Sequence, residues 1–383
     1  MAAVAPFREF VIKLHGLCNI ACDHCYVYEL RDRGWESRPA VMADPTIDRV
    51  AVRIAEHARR HRLPEVSAVL HGGEPLMAGR AKAERLARAL RREVDPETRI
   101  GFTVQTNGTL LNDAWLELGH RYGMGIGVSL DGDRAANDRH RRRADGRSSH
   151  PAVERGLRLL RRPEHRNRYA GLLCTVDLDN PPVATYEALL AQEPPRIDFL
   201  LPHATWQHPP PGHDPERAPY AAWLLAVFDR WYRSSSPPET RVRLFEDLID
   251  LSLGGAPGSE AVGGAAAGFT VVETDGSIHL ADAYRAVHDG ASATGMDVFT
   301  HDFDTVARSP RVTEARGGRD ALAAQCRQCS VVGLCGGGFR AHRYRPENAF
   351  DNPSVYCSDL MRVAEHIRHR VHADVRELLG GPR

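Results

Sequence analysis

The sequence predicts an α/β protein built from parallel β/α units, and three features carry that prediction. Short β-like runs alternate with longer helical patterns about six times in the first half. A proline-rich stretch, HATWQHPPPGHDPERAP at 203–219, then interrupts the alternation. Past a small-residue tract, GGAPGSEAVGGAAAG at 254–268, a hairpin signal stands at Asp275-Gly276.

The predicted strands are Phe10–Leu14, Val66–Leu70, Ile100–Gln105, Gly125–Leu130, Gly171–Val176 and Ile197–Leu201. Between them, TIDRVAVRIAEHARRH and AKAERLARALRREV place apolar residues three and four apart, as an amphipathic helix requires. After the break come helical patterns near VRLFEDLIDLSL and, at the end, LMRVAEHIRHRVHADVRELL. The expected division is a β/α domain at 7–205, a linker with bridging helices at 206–260, and a further domain at 261–383. Parallel sheets carry their chemistry at the carboxyl ends of the strands. The loop after the first strand is therefore the first place to look.

Composition narrows the class. The 383 residues hold 50 basic and 50 acidic side chains, which argues for neither a nucleic-acid nor a membrane partner. Of the 50 basic residues only Lys13 and Lys82 are lysines, which reads as coding bias. No apolar run approaches the roughly 18 residues of a membrane span, and MAAVAPFREF lacks the layout of a secretory signal. A cytoplasmic protein is expected, with reduced thiols.

Seven of the eight cysteines fall in two clusters, which favours metal over disulfides. Cys174, in AGLLCTVDL, reads as a buried small apolar residue. The first cluster is CNIACDHCYVY, where Cys18, Cys22 and Cys25 stand in C-x₃-C-x₂-C spacing on one loop. A structural zinc wants four ligands, so three thiolates leave a metal centre with one open position. The second cluster is Cys326, Cys329, Cys335 and Cys357, in C-x₂-C-x₅-C spacing with a later fourth cysteine. Four thiolates can fully ligate an iron–sulfur cluster or a zinc ion, and spacing alone does not separate the two.

With the HGGEP turn (71–75) after the second strand, the cysteine loop resembles the radical S-adenosylmethionine (SAM) superfamily. The resemblance implies a partial TIM-like (β/α)6 barrel and a [4Fe–4S] cluster on Cys18, Cys22 and Cys25. The open iron would bind SAM and the cluster would cleave it to a 5′-deoxyadenosyl radical. By the same resemblance Gly72, Gly73 and Glu74 would meet the methionyl amino group, with Glu74 stabilising the cation. In QTNGTLL, Asn107 would lie near the ribose. In GVSLDG, Ser129 would reach the ribose or carboxylate, and Arg141 would pair with the carboxylate. His24 would meet adenine through its backbone.

The carboxyl-terminal cysteines resemble the second half of a SPASM domain, implying a second, closed [4Fe–4S] cluster on Cys326, Cys329, Cys335 and Cys357. The thiolates expected for another auxiliary cluster are missing: GGAAAG and Ala281 hold none, and Phe339 stands where one is expected. Two clusters in all are expected. Asp282, beside that vacated position, would sit at the substrate; burial would raise its pKa and make it a general base.

CDHCYVYEL, LHGGEPLMAG, LLPHATWQHPPP, VVETDGSIHLADAYR, CGGGFRAHRYR and FDNPSVYC together resemble the FxsB-type radical SAM/SPASM family, over nearly the whole chain. That family matures ribosomally made peptides, and many members join an aromatic side chain to the Cβ of a nearby residue in a cyclophane. The implied reaction removes a Cβ hydrogen, forms the carbon–carbon bond, and sheds one electron and one proton. The closed cluster and Asp282 are the candidate acceptors. The implied partners are a precursor peptide and a low-potential electron donor such as flavodoxin or ferredoxin.

Formylglycine, thioether or ether formation are the enzymatic alternatives, and a zinc-binding interaction protein is the non-enzymatic one. The arginines at 134–168 are interleaved with acidic residues, as on a solvated face. The same stretch offers a surface for an acidic leader peptide, testable with salt.

Overall fold

The computed structural model describes residues 5–232 and 238–380. In chain order the first strands are β1 (Glu9–His15), β2 (Ala21–Cys22), β3 (Glu65–Gly72), β4 (Arg99–Thr106), β5 (Gly125–Ser129), β6 (Arg141–Arg142) and β7 (Tyr169–Thr175). There follow β8 (Arg196–Leu200), β9 (Arg241–Val242), β10 (Phe269–Val272), β11 (Ser277–His279) and β12 (Ala293–Asp297). The helices begin with α1 (Asp44–His61), α2 (Arg80–Glu93), α3 (Asp113–Tyr122), α4 (Arg134–His140), α5 (His150–Arg161) and α6 (Pro182–Leu190). They continue with α7 (Pro219–Trp231), α8 (Arg243–Ser252), α9 (Phe303–Arg308), α10 (Pro310–Ala315), α11 (Ala324–Arg327), α12 (Val332–Cys335) and α13 (Cys357–Leu378).

All six predicted strands form, with ends shifted by one or two residues. The chain divides into two compact units. The first holds Met1–Leu173, Gln192–Pro194 and Gly268–Arg316; the second holds Cys174–Ala191, Pro195–Ala267 and Gly317–Arg383.

In the first unit the sheet runs β12-β11-β10-β1-β3-β4-β5-β7. From β10 to β7 every adjacent pair is parallel, while β10–β11 and β11–β12 are antiparallel. This is the α/β fold expected, and its helices form for local reasons. In α1, Pro45 suits the first turn, and Ile47, Val50, Ile54 and Ala58 recur on one buried face. Burial of each large aliphatic there contributes about 1.5–3 kcal/mol. Asn112 caps α3 by accepting from Trp115 N, and Asp133 caps α4 by accepting from Ala136 N.

The units cut the chain differently from the division expected at 205 and 260. The hairpin β10–β11 was expected in the carboxyl-terminal domain, yet β10 aligns with β1, pairing Glu9 with Phe269 and Ile12 with Val272. The reason is edge cover: β1 would otherwise expose a row of unpaired backbone groups beside buried Phe10 and Ile12. Sequence reasoning missed β12 and the two-residue pair β2–β6.

In the second unit β8 pairs in parallel with β9, and α13 packs against α7 and α8. Phe228 meets Phe245, Trp231 and Tyr232 there. Cys174 is fully buried, its Sγ 3.6 Å from Thr175 O. Among the described residues no helix is long and apolar enough to cross a membrane.

Candidate functional site

The cysteine loop leaves β1 at its carboxyl end, as expected, and two contacts fix its course. Tyr28 Oη donates to Gly16 O (2.8 Å), and β2 pairs antiparallel with β6 so that Cys22 faces Arg141 and Ala21 faces Arg142. No cysteine among the described residues forms a disulfide. Burial pushes the Cys18 thiol up to about 11, Cys22 up to about 12, and Cys25 upward; Cys18 and Cys22 also feel Cys25 nearby. Such thiols ionise when a metal takes the place of their protons.

A closed ring of polar side chains holds Cys18. Asn107 Nδ2 donates to Cys18 Sγ (3.5 Å) and to Asn19 Oδ1 (2.9 Å). Asn19 Nδ2 donates to Thr109 Oγ1 (2.9 Å), which donates in turn to Asn107 Oδ1 (2.6 Å). Asn107 was expected at the ribose; its side chain instead positions the first cysteine. Sequence reasoning missed Asn19 and Thr109, although each stands one or two residues from a motif residue already singled out.

Glu74 also departs from expectation. It is fully buried, accepting from Leu76 N (2.9 Å), Thr106 Oγ1 (2.7 Å) and Asn107 N (2.8 Å). Burial raises its pKa to about 7 against those bonds. The carboxylate ties the end of β3 to the end of β4, so it is not turned outward toward a cation. The glycines before it allow close backbone contact. A Cβ on Gly72, at φ +145°, would lie 2.1 Å from His15 O, and one on Gly73 would lie 1.9 Å from Tyr28 Oη. These two residues lock β3 against the cysteine loop.

Ser129 accepts from Gln105 Nε2 (3.0 Å), and a Cβ on Gly127 would collide with Gln105 Oε1. Arg141 grips Asp131 through Nε (2.6 Å) and Nη2 (3.2 Å), and His24 Nε2 lies 3.7 Å from the same carboxylate. Burial, then Arg141, lowers the His24 pKa to about 4. Asp131 lies inside the quoted GVSLDG motif, yet only the structure gives it a role.

The largest correction concerns Asp282. Its side chain lies 2.6 Å from Lys13 Nζ and 2.8 Å from Arg285 Nε. Burial favours the neutral acid, but Lys13 and Arg285 outweigh it and hold the carboxyl well below the usual range. A carboxylate held by two cations is a poor base, contrary to the expected upward shift. Around it Lys13 also meets Glu273 (2.9 Å), and fully buried Arg285 pairs with Glu273 and with Asp32 (3.2 Å). Lys13, one of only two lysines in the chain and given no role by sequence reasoning, is a buried cation on β1. Beside this cluster Gly72 N donates to His71 Nδ1 (2.8 Å), which leaves the proton on Nε2, 3.4 Å from Tyr26 Oη.

In the second unit the four remaining cysteines converge: Cys357 and Cys335 each feel Cys326 and Cys329 electrostatically. Burial pushes Cys335 up to about 12. Directly after Cys335, Gly336, Gly337 and Gly338 all adopt φ between +60° and +79°. A Cβ on Gly336 would fall 1.8 Å from Gly264 N, so the GGAAAG tract lies against this turn. Buried Arg343 donates to the carbonyls of Gly336 (3.0 Å), Gly337 (3.0 Å) and Gly338 (2.9 Å). Arg343 escaped sequence reasoning. Phe339, at the position of an expected thiolate, packs edge-on against His203 and His342.

The cysteine sets suit clusters better than single ions. Among the described residues the groups of three donors within 4.8 Å of one another are Asp23/His24/His140 and His57/His61/Asp304, and neither contains a cysteine. Thiolates on one tetrahedral zinc lie about 3.8 Å apart given Zn–S of about 2.3 Å, whereas cubane thiolates sit on separate irons. The histidine group is an ionic clamp: Phe7 N donates to His57 Nε2 (3.0 Å), so Nδ1 carries the proton and faces Asp304, which Arg60 also meets (3.1 Å).

A parallel α/β sheet with a three-thiolate loop at the end of its first strand defines an enzyme that carries its reactive cofactor at the strands' carboxyl ends. The model of the radical SAM superfamily matches residues 12–171, and the chain is an enzyme with the α/β fold of that superfamily. Its cofactors are S-adenosylmethionine and [4Fe–4S] clusters. It is 24% identical over 362 residues to a cysteine-type anaerobic sulfatase-maturating enzyme of Clostridium perfringens, covering 91% of this chain and 93% of that one. A serine-type anaerobic sulfatase-maturating enzyme of Klebsiella aerogenes is 26% identical over 340 residues, covering 88% and 80%. The solved structure of native anSMEcpe with bound AdoMet superposes with a TM-score of 0.81 at 22% identity, covering 95% of this chain and 98% of that one. Streptococcus suis SuiB bound to precursor peptide SuiA gives 0.59 at 15% identity, covering 92% and 76%. At these identities the structural likeness concerns the fold.

Proposed function

We propose that this enzyme modifies a ribosomally made peptide, joining an aromatic ring to the Cβ of a neighbouring residue. The observation that carries the reading is how the FxsB-like segments assemble. LPHATW meets the carboxyl-terminal motifs in one block: Tyr356 Oη donates to Pro202 O (2.6 Å), Trp206 Nε1 to Pro353 O (2.8 Å), and Arg345 lies over the Trp206 ring (4.1 Å). The resemblance thus rests on a built region beside the Cys335 turn rather than on scattered words.

When bound, SAM and its cluster supply a carbon-centred radical able to take hydrogen from an unactivated C–H bond. Cys18, Cys22 and Cys25 would hold that cluster, with Asn107 positioning the first thiolate. Gly72 and Gly73 would offer backbone to the cofactor, and the Gln105–Ser129 and Arg141–Asp131 pairs would supply polar side chains at the next strand ends. Cys326, Cys329, Cys335 and Cys357 would hold a second cluster, at a turn fixed by Arg343. Lys13 and Arg285 keep Asp282 ionised, so it would orient a peptide amide more readily than accept a proton. Electrons would come from a flavodoxin- or ferredoxin-like donor.

A second reading, oxidation of serine or cysteine to formylglycine, is favoured by the sulfatase-maturating relatives. Co-expression with the small reading frames beside the gene separates the two. A cross-link removes two hydrogens and suppresses tandem-mass fragmentation between the joined residues; an aldehyde is captured by an oxime-forming probe. A peptide of unchanged mass, with SAM still consumed, overturns the cross-linking reading. After anaerobic reconstitution about eight irons and eight sulfides per chain are expected for two cubanes; zinc without sulfide overturns both enzymatic readings.

A further inference from the structure

Residues 134–168 hold twelve arginines against four carboxylates, a formal +8 in a chain whose net charge is zero, so the remaining residues carry −8. The segment is built rather than loose. β6 forms one side of a tight turn: Arg142 bridges Ser148, Arg143 N donates to Arg147 O (2.9 Å), and Ser149 Oγ donates to Arg141 O (2.5 Å). The other edge of β6 is stapled to β2, the strand that carries Cys22.

Part of this charge is fixed on backbone carbonyls and not cancelled by carboxylates. Arg142 spends its guanidinium on the carbonyls of Asp138 (2.5 Å) and Gly146 (3.3 Å), and Arg155 on that of Pro151 (3.2 Å), which fixes each cation without cancelling it. Arg158 has no carboxylate partner among the described residues, and Arg143 shares Asp145 with Arg147. Arg155 and Arg158 lie three residues apart on the exposed face of α5, opposite buried Val153, Leu157 and Leu160.

We propose that this surface binds an acidic stretch of the polypeptide substrate and, through the β2–β6 pairing, delivers it beside the cysteine loop. The inference rests on the peptide-modifying reading above. The chemistry favours a peptide over its rivals. Residues 134–168 contain no Phe, Tyr or Trp on which bases could stack. The arginine-bearing face also lacks the large apolar side chains with which an interfacial helix enters a bilayer.

The test is fluorescence anisotropy on the full reconstituted chain, with a fluorescein-labelled glutamate-rich 12-mer as probe. That probe holds no aromatic, serine or cysteine to modify, so binding is read whether or not the chain modifies peptides. Affinity for the parent should fall steeply between low and physiological salt. The quadruple charge reversal Arg142→Glu, Arg143→Glu, Arg155→Glu, Arg158→Glu should bind at least about tenfold more weakly, given about 0.2–1 kcal/mol per exposed pair. The control Arg88→Glu, Arg376→Glu should remain within about twofold of the parent, since neither residue lies on this surface. Circular dichroism checks that both variants fold. Equal weakening in the two variants, or none in the first, overturns the proposal. So does tighter binding of an oligothymidylate of the same charge through these arginines. A probe-free dimer that the quadruple variant abolishes overturns it too, in favour of a second copy.

Discussion

Replacing Asp282 with Asn decides between a base and an ionic clamp. The carboxylate faces Lys13 and Arg285 at 2.6 and 2.8 Å, with its side chain 13% exposed. At an effective dielectric near 20, each contact carries a gross attraction of about 6 kcal/mol, most of it offset by desolvation. Removing the charge leaves buried Lys13 and Arg285 to share Glu273 and Asp32, with Arg38 drawing on Glu273 and Asp275 as well. Breaking a buried pair from one side costs about 3–5 kcal/mol. Asn is isosteric and can still accept from Arg285, so the lower figure applies. At about 2–4 °C per kcal/mol for a unit of this size, the melting midpoint should fall by about 6–12 °C. The assay is a thermal melt of reconstituted protein at pH 7, beside product formation from the precursor peptide. A variant that melts within about 1 °C of the parent, yet makes no product, would refute the clamp and restore the base.

Three further outcomes follow from named contacts. His279 is buried, with Nδ1 2.9 Å from Ser292 Oγ and Nε2 3.1 Å from Arg38, and its pKa is lowered from 6.5 to about 4, chiefly by burial. The unfolded chain then binds the proton first, so this contribution is full above about pH 6.5 and shrinks as pH falls toward 4, by about 3 kcal/mol. Denaturation at stepped pH checks it, and a His279→Gln variant should lose that portion of the slope. Glu74→Gln turns an amide N–H₂ toward the N–H of Asn107 or Leu76, costing about 1–3 kcal/mol; iron retention after gel filtration should fall, because Asn107 holds Cys18. Arg343→Met should release the Gly336–Gly338 turn and leave about four irons where the parent holds about eight. Full iron content in that variant would free the turn from Arg343.

The strands and helices were legible because period and breakers act locally. Phe10–Leu14 and Val66–Leu70 needed only their β-branched and aliphatic runs, and the Asp275-Gly276 turn needed only a residue that accepts φ +89°. The cysteines were legible because thiolates at fixed spacing have few other uses. Partner choice was not. That β10 joins β1 depends on which sheet edge lies open once the barrel strands have paired.

Sequence by itself determined the fold class, the two thiolate sets and the loop that carries the first, since each is written in a short stretch of chain or in a repeated pattern. Tertiary structure alone decided the electrostatics. Whether Asp282 is a base or an anion turns on Lys13, 269 residues away, as well as on nearby Arg285, and whether Glu74 faces a cofactor or the backbone turns on Asn107, 33 residues on. A pKa is set by what surrounds a charge in space, and that neighbourhood does not exist until the chain has folded.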